Sequence, residues 1–239
     1  MPLPKIATPT YELELPSTKE TIQYRPFLVK EEKLLVLALE SENTKEITTA
    51  IKNVIKSCIH TKGIKVEILP TFDIEYLFLN IRGKSVGEEI EVNIICPDDG
   101  ETYVPVKINI DDIKVKESEE HTNKIKVDSA IVMEMKYPSL DQFIKSNFDF
   151  NSNDTMNQSF DLVATCIDKI YNEQEVWVAA DCTKKELVEF LEQMNSSQFK
   201  EIEKFFETMP KLSHEVKVIN PKTDVESTVI LEGLSSFFA

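Results

Sequence analysis

The chain is short of the residues from which catalytic and nucleotide sites are usually built. Only five glycines occur in 239 residues, none in a G-x-G-x-x-G or G-x-x-x-x-G-K arrangement, so no loop is shaped to cradle a nucleotide phosphate. The three histidines, His60, His121 and His214, are single and scattered, and no G-x-S-x-G elbow is present to carry a nucleophilic serine. The four cysteines, Cys58, Cys96, Cys166 and Cys182, stand far apart, which predicts free thiols in a reducing compartment. No run of about 18 apolar residues exists to span a bilayer. The opening "MPLPKIATPTYELELP" lacks the apolar core of a signal peptide, so the expected location is the cytosol. Positive charge is scarce too. Against 42 acidic residues there are 27 basic ones, a net charge of -15, which opposes binding to nucleic-acid backbones and to anionic membranes.

What is present is an ordinary globular composition, 41% hydrophobic, on a chain long enough for one large domain or two small ones. An N-terminal arm carries the alternating "YELEL", and "TIQYRPFLV" reads as a second short strand. "KEEKLLVLALES" and "TKEITTAIKNVIKSCI" then turn helical. The second of these places Ile47, Ile51, Val54, Ile55 and Cys58 on one face. Pro70 opens a helix through "TFDIEYLFLNIRGKSVG", expected to end at Gly83 and Gly87. A first hairpin spans about 88–115. Further on, "IKVDSAIVMEM" has a strand pattern, "YPSLDQFIKSNF" a short helix with Ser139 and Gln142 set for a capping box, and "TMNQSFDLVATCIDKIY" an amphipathic helix. "EQEVWVAADC" is strand-like. Thr183 and Glu186 form a capping box before "KKELVEFLEQM", and "SSQFKEIEKFFETMPKL" is the last long helix.

Two stretches pose the main chemical question. "EVNIICPDDGETYVPVKI" and "EVKVINPKTDVESTVIL" are hairpin patterns whose turns, Cys96-Pro-Asp-Asp99 and Asn220-Pro-Lys-Thr223, sit where a zinc ribbon carries Cys-Pro-x-Cys. Adding 124 to the numbers of the first turn gives the second. The preceding helices fall in step on the same offset, Phe78 over Ile202 and Ile81 over Phe205. "VIKSCI" (54–59) echoes "LVATCI" (162–167) on another offset, which, if the echo is a true repeat, requires an insertion near 172–190. The fold class expected is α+β: helical elements plus two β-hairpins, either pseudo-duplicated or two occurrences of a common helix-then-hairpin pattern. The divisions expected are 1–115, a charged linker over 116–124, and 125–239.

Zinc wants four ligands, chiefly thiolate and imidazole. Cys96, Asp99, Asn220 and Thr223 would offer one thiolate, one carboxylate, one amide and one hydroxyl, so the turns read as degenerate knuckles without metal, and no cofactor is expected. Cys58 and Cys166 sit in apolar patterns that disfavour a thiolate nucleophile. Cys182, beside Asp181 at a helix start, is the more plausible reactive thiol, although a cap explains its setting equally well. The carboxylate pairs Asp98-Asp99, Asp111-Asp112 and Glu119-Glu120 lack calcium-loop spacing. No catalytic residue is assigned. The C-terminal stretch is apolar: Leu231, Leu234, Phe237 and Phe238 recur at near-helical spacing. They read either as a plug docked on the chain's own core or as an anchor for a partner's groove.

Three phrases go further. "YRPFLVKEEKLLVLALES" (24–41), "FDIEYLFLNIRGKSVGEEIEVNIICPDDG" (72–100) and "FFETMPKLSHEVKV" with "LEGLSSFF" (205–238) resemble the baseplate hub family of T-even-like contractile-tailed bacteriophages. The resemblance covers most of the chain. It implies a non-enzymatic viral protein, made in the host cytoplasm, that helps build the central hub of the tail baseplate by contact with other hub proteins, as a subunit or as an assembly chaperone. The alternative is a degenerate zinc-ribbon module that once read nucleic acid, which the charge opposes.

Overall fold

The computed structural model describes residues 6–41, 43–140, 142, 155–233 and 236. The fold is α+β, with helices and several small antiparallel sheets. The chain forms two compact units, one from 1–116 with 211–239 and one from 117–210. The second hairpin groups with the first half of the chain because its leading strand pairs with residues 114–116.

In the first unit, β1 (Tyr11–Glu14) and β2 (Thr21–Tyr24) form a hairpin. Helix α1 (Val29–Glu40) starts at a reach-back bond: the Leu28 N–H donates 2.8 Å to Glu31 Oε2. The Asn43 side chain accepts from the N–H groups of Lys45 and Glu46 and so caps α2 (Thr44–Cys58), as its residue type favours. Helix α3 (Thr71–Val86) runs through Gly83 and stops at Gly87, φ 138°. The expected break at Gly83 does not occur. A Cβ there would lie 3.2 Å from Ile110 Cδ1, so this glycine serves close packing inside the helix.

Strands β3 (Glu89–Ile95) and β4 (Tyr103–Asn109) make the first knuckle hairpin, followed by β5 (Lys114–Lys116). Strict alternation buries Ile90, Val92 and Ile94 of β3, as a one-sided strand requires. They pack with Leu79 of α3 and with Leu212, Val216 and Val218 of the second knuckle hairpin.

The second unit begins with β6 (Lys124–Lys126) and β7 (Val132–Met135). Most of the short helix expected after Tyr137 lies outside the described residues; its start keeps one capping bond, Ser139 N–H to Gln142 Oε1 at 2.8 Å. Helix α4 (Thr155–Cys166) ends where the sequence pattern suggested it would continue. Residues Ile167–Tyr171 are instead strand β8, paired with β7 on one side and with β9 (Val176–Val178) on the other. Ile167, Ile170 and Tyr171 suit a pleated, half-buried surface, and sheet pairing outweighs the helical period. The expected capping box opens α5 (Lys184–Glu192), and Asn195 caps α6 (Ser196–Thr208). The chain then re-enters the first unit with β10 (Lys211–Ile219) and β11 (Glu226–Glu232), in the sheet order β11-β10-β5.

The echo of "VIKSCI" in "LVATCI" has matching backbone surroundings. Cys58 and Cys166 each end a helix, and each carbonyl accepts a remote N–H, from Arg25 at 2.9 Å and from Lys136 at 2.7 Å. The isoleucine after each pairs antiparallel with a hairpin strand end, Ile59 with Tyr24 and Ile167 with Met135. In the second occurrence of the helix-plus-hairpin pattern, α6 falls in the second unit and β10–β11 in the first.

Candidate functional site: the facing knuckles and an exposed helix

The two knuckle turns share a backbone plan. The Cys96 N–H donates to Thr102 O at 2.8 Å and Gly100 N–H to Cys96 O at 2.9 Å. The Asn220 N–H donates to Val225 O at 3.0 Å and Asp224 N–H to Asn220 O at 2.8 Å. Gly100 and Asp224, equivalent on the 124 offset, both take left-handed φ, 68° and 60°. Glycine and aspartate tolerate that region best. Proline at 97 and 221 presets the turn before it.

The turns face each other. The Asn220 amide donates to both oxygens of Asp98, at 3.1 and 3.0 Å, and the Thr223 hydroxyl donates to Asp98 Oδ2. Asn220 Oδ1 accepts from the Lys222 N–H at 2.9 Å. Asp99 turns back on its own loop and accepts from the N–H groups of Glu101 and Thr102 and from the Thr102 hydroxyl. The sequence positions Cys96, Asp99, Asn220 and Thr223 therefore do lie at one locus, but the link between turns is made by Asp98, which spacing alone did not single out. The useful signal was chemical: of the two adjacent aspartates, one had to satisfy the local turn and the other was left to reach across.

Electrostatics follow the bonds. The Thr223 and Asn220 donors hold the Asp98 carboxyl below its usual range, and the Thr102 hydroxyl and N–H hold Asp99 well below it. Burial pushes the Cys96 thiol up, and the Asp98 and Asp99 charges add to that. A zinc site needs thiolates; this locus instead offers one protonated thiol, an amide and a hydroxyl already engaged, and carboxylates already supplied with donors. Among the described residues no three of His, Cys, Asp and Glu converge as a metal-holding group. The arrangement acts as a hydrogen-bonded clasp between two turns.

Elsewhere, burial drives the Cys58 thiol to about 11 and the Cys166 thiol to about 12, so both are inert as nucleophiles at neutral pH. Cys182 is half-buried and its thiol donates to Val178 O at 3.5 Å. In the second unit His121 bridges Thr208 Oγ1 (3.0 Å) and Tyr137 Oη (2.9 Å). The Thr208 hydroxyl gives its proton to Lys204 O, so it must accept from His121 Nδ1–H, and Nε2 accepts from Tyr137. The ring is thus held neutral, and burial lowers its pKa.

The C-terminal residues divide. Leu231 lies on β11 opposite His214 and packs against the sheet core; Leu234, Phe237 and Phe238 fall outside the described residues. Another apolar surface lies on α1, where the sequence pattern sets Leu34, Leu35, Leu37 and Ala38 on an apolar stripe. Helix α1 carries six consecutive apolar residues, Leu34 to Leu39. Of these Leu34, Val36, Leu37 and Leu39 are exposed, as is Val29 at the helix start, 79% accessible. A helix that is apolar nearly all round is ordinarily buried, and exposed runs of this kind mark contact surfaces.

The chain is thus an acidic α+β protein with a hydrogen-bonded clasp between its two knuckle turns and an exposed apolar face on α1. The comparison with known families places it more closely. The family described as T4 bacteriophage base plate protein matches residues 8–239, and the chain belongs to that family. Neither a curated protein nor a solved structure matches it.

Proposed function

We propose that this baseplate protein is a non-enzymatic factor for building the central hub of the phage tail baseplate, working by protein–protein contact as a hub subunit or as an assembly chaperone. Membership of the baseplate family supports the reading at the level of the particle. The exposed apolar face of α1 is the observation that carries the contact itself, because an isolated soluble chain gains nothing from displaying it. The net charge of -15 keeps such a surface soluble until a specific partner covers it. The apolar C-terminal residues Leu231, Leu234, Phe237 and Phe238 are a second candidate contact. Its partners on this reading are other hub proteins of the phage, met in the host cytoplasm.

The test is co-expression of the chain with hub components, followed by capture and mass analysis. Wild-type protein is expected to retain a hub protein, and Leu37→Asp with Val36→Asp to lose it while keeping its helical circular dichroism. Retention undiminished by that pair would remove α1 from the interface. The presence of the chain in mature particles then separates subunit from chaperone.

A further inference from the structure

Strand β6 is an outer strand of its sheet, whose order is β6-β7-β8-β9. Its bonding parity leaves a row of backbone groups turned outward. The Met135 N–H donates to Asn123 O at 2.7 Å and the Val127 N–H to Ile131 O at 3.0 Å, with Ile125 opposite Met133 midway between them. Hydrogen-bonded and non-bonded pairs alternate in an antiparallel ladder, so Lys124 and Lys126 direct their N–H and C=O groups away from β7. Thr122 Oγ1 accepts from the Lys124 N–H at 3.2 Å. Among the described residues, nothing bonds to Lys124 O or to either backbone group of Lys126. We propose that this edge takes up an extended acidic segment of a protein partner as a further antiparallel strand, with an acid–apolar–acid sequence set against Lys126 to Lys124.

The space for that strand is already open. A cavity of about 610 Å³ is lined by β6 on one side and by the last two turns of α6 on the other. The buried side chains Ile125 and Phe205 form its base, and Lys124, Lys126 and Lys204 are its cationic members. Lys204 is engaged by Glu120 at 2.9 Å. Lys124 and Lys126 are exposed and make no ion pair among the described residues. A sheet edge with unmet backbone groups is a ready template for another strand, and charged side chains along it decide which strand can pair.

The register follows from the geometry. The incoming residue opposite Lys126 exchanges hydrogen bonds with it in both directions, and the residue two further on donates to Lys124 O. Those two residues share the lysine face because side chains alternate along a strand, so carboxylates there meet the ammonium groups directly across the pair. The residue between them lies on the side of Ile125 and is apolar for that reason. The net charge of -15 repels an acidic segment at a distance, but charges more than about 8 Å apart are largely screened at physiological salt, so the local lysines decide. A free anion would meet the lysines yet has no N–H to give the outward carbonyls. The surface belongs to the second unit and uses none of the α1 residues, so the inference does not rest on the hub reading.

The experiment follows the fluorescence anisotropy of a labelled peptide, Thr-Val-Glu-Val-Glu-Val-Thr, titrated with the full chain. Saturable binding is expected, about tenfold or more weaker when both glutamates of the peptide are replaced by lysine. Lys124→Glu with Lys126→Glu in the protein should cost a similar factor. Methylating the backbone nitrogen of either glutamate should also weaken binding about tenfold, since that N–H faces β6, whereas methylating the central valine nitrogen, which faces away, should leave it unchanged. No saturable binding up to about 1 mM would overturn the proposal. So would equal losses from the two kinds of methylation, which would mean that charge alone holds the peptide, or displacement by inorganic phosphate at constant ionic strength, which assigns the lysines to a free anion. Should the glutamate pair lose its circular dichroism, Lys124→Ala with Lys126→Ala serves in its place.

Discussion

Removing Glu31 is the sharpest test of how α1 is held in place. The Glu31 side chain is 5% exposed and accepts from Arg25 Nη2 at 3.0 Å and from the Leu28 N–H at 2.8 Å, with Lys30 3.4 Å away. Burial alone would raise its pKa, but the Arg25 and Leu28 hydrogen bonds outweigh burial and lower it. Glu31→Ala removes a helix-start bond worth about 1 kcal/mol. It also leaves the Arg25 guanidinium, 13% exposed, without its carboxylate, and breaking a buried pair costs about 3–5 kcal/mol. Arg25 keeps Pro26 O as an acceptor at 2.8 Å, so the expected total falls near the lower end, about 3–4 kcal/mol. Glu31→Gln retains an acceptor for the Leu28 N–H and should cost about half as much. The double variant Arg25→Met with Glu31→Leu should recover most of the loss, because apolar replacement of both partners avoids desolvating either charge. Urea titration followed by far-ultraviolet circular dichroism measures all three. Because the folded pKa is lowered, the Glu31 contribution is present above its unfolded value and is lost as pH falls through the folded one, so the wild-type advantage should shrink in acid. A loss below about 1 kcal/mol for Glu31→Ala would refute the argument, since it would mean that water already replaces the pair.

Three further outcomes are expected. The neutral, half-buried His121 has a folded pKa below its unfolded value, so stability should fall as pH drops below about 6.5, and His121→Gln should flatten that dependence; an unchanged urea midpoint between neutral and mildly acid pH would contradict this. Gly83→Ala should lie within about 1 kcal/mol of wild type, helix propensity offsetting a tight contact with Ile110, whereas Gly83→Leu should lose about 2–3 kcal/mol by overpacking. Asp99→Cys, Asn220→Cys and Thr223→Cys together with native Cys96 place four thiols at the facing turns and should confer zinc binding, read by elemental analysis of stripped and repleted protein; a folded triple variant that takes up no zinc would show that the turns do not present these positions to a common point.

Much of the architecture is written locally. The alternation of Ile90, Val92 and Ile94, the caps at Asn43, Thr183 and Asn195, and the proline turns at 97 and 221 are decided by neighbours within a few residues, so the sequence alone determines them. The two turns, in step on the 124 offset, do share one backbone plan, with left-handed Gly100 and Asp224 at matching places. The same local reasoning failed at Cys166, where a helical period gives way to β8, because pairing with β7 is an interaction that periodicity does not contain.

Tertiary structure decided the rest. The pairing of β10 with β5 moved the second hairpin into the first unit, and the choice of Asp98 over Asp99 as the bridging carboxylate depended on which side chain its own turn had already used. The exposure of α1 is of the same kind. An apolar stripe in a sequence states that water is disfavoured there; only the packed chain states whether anything covers it. Hydrophobic pattern and turn chemistry are short-range properties of the sequence, while strand partnership and burial are set by residues far apart along it, and the exposure of the apolar face of α1 lies in that second category.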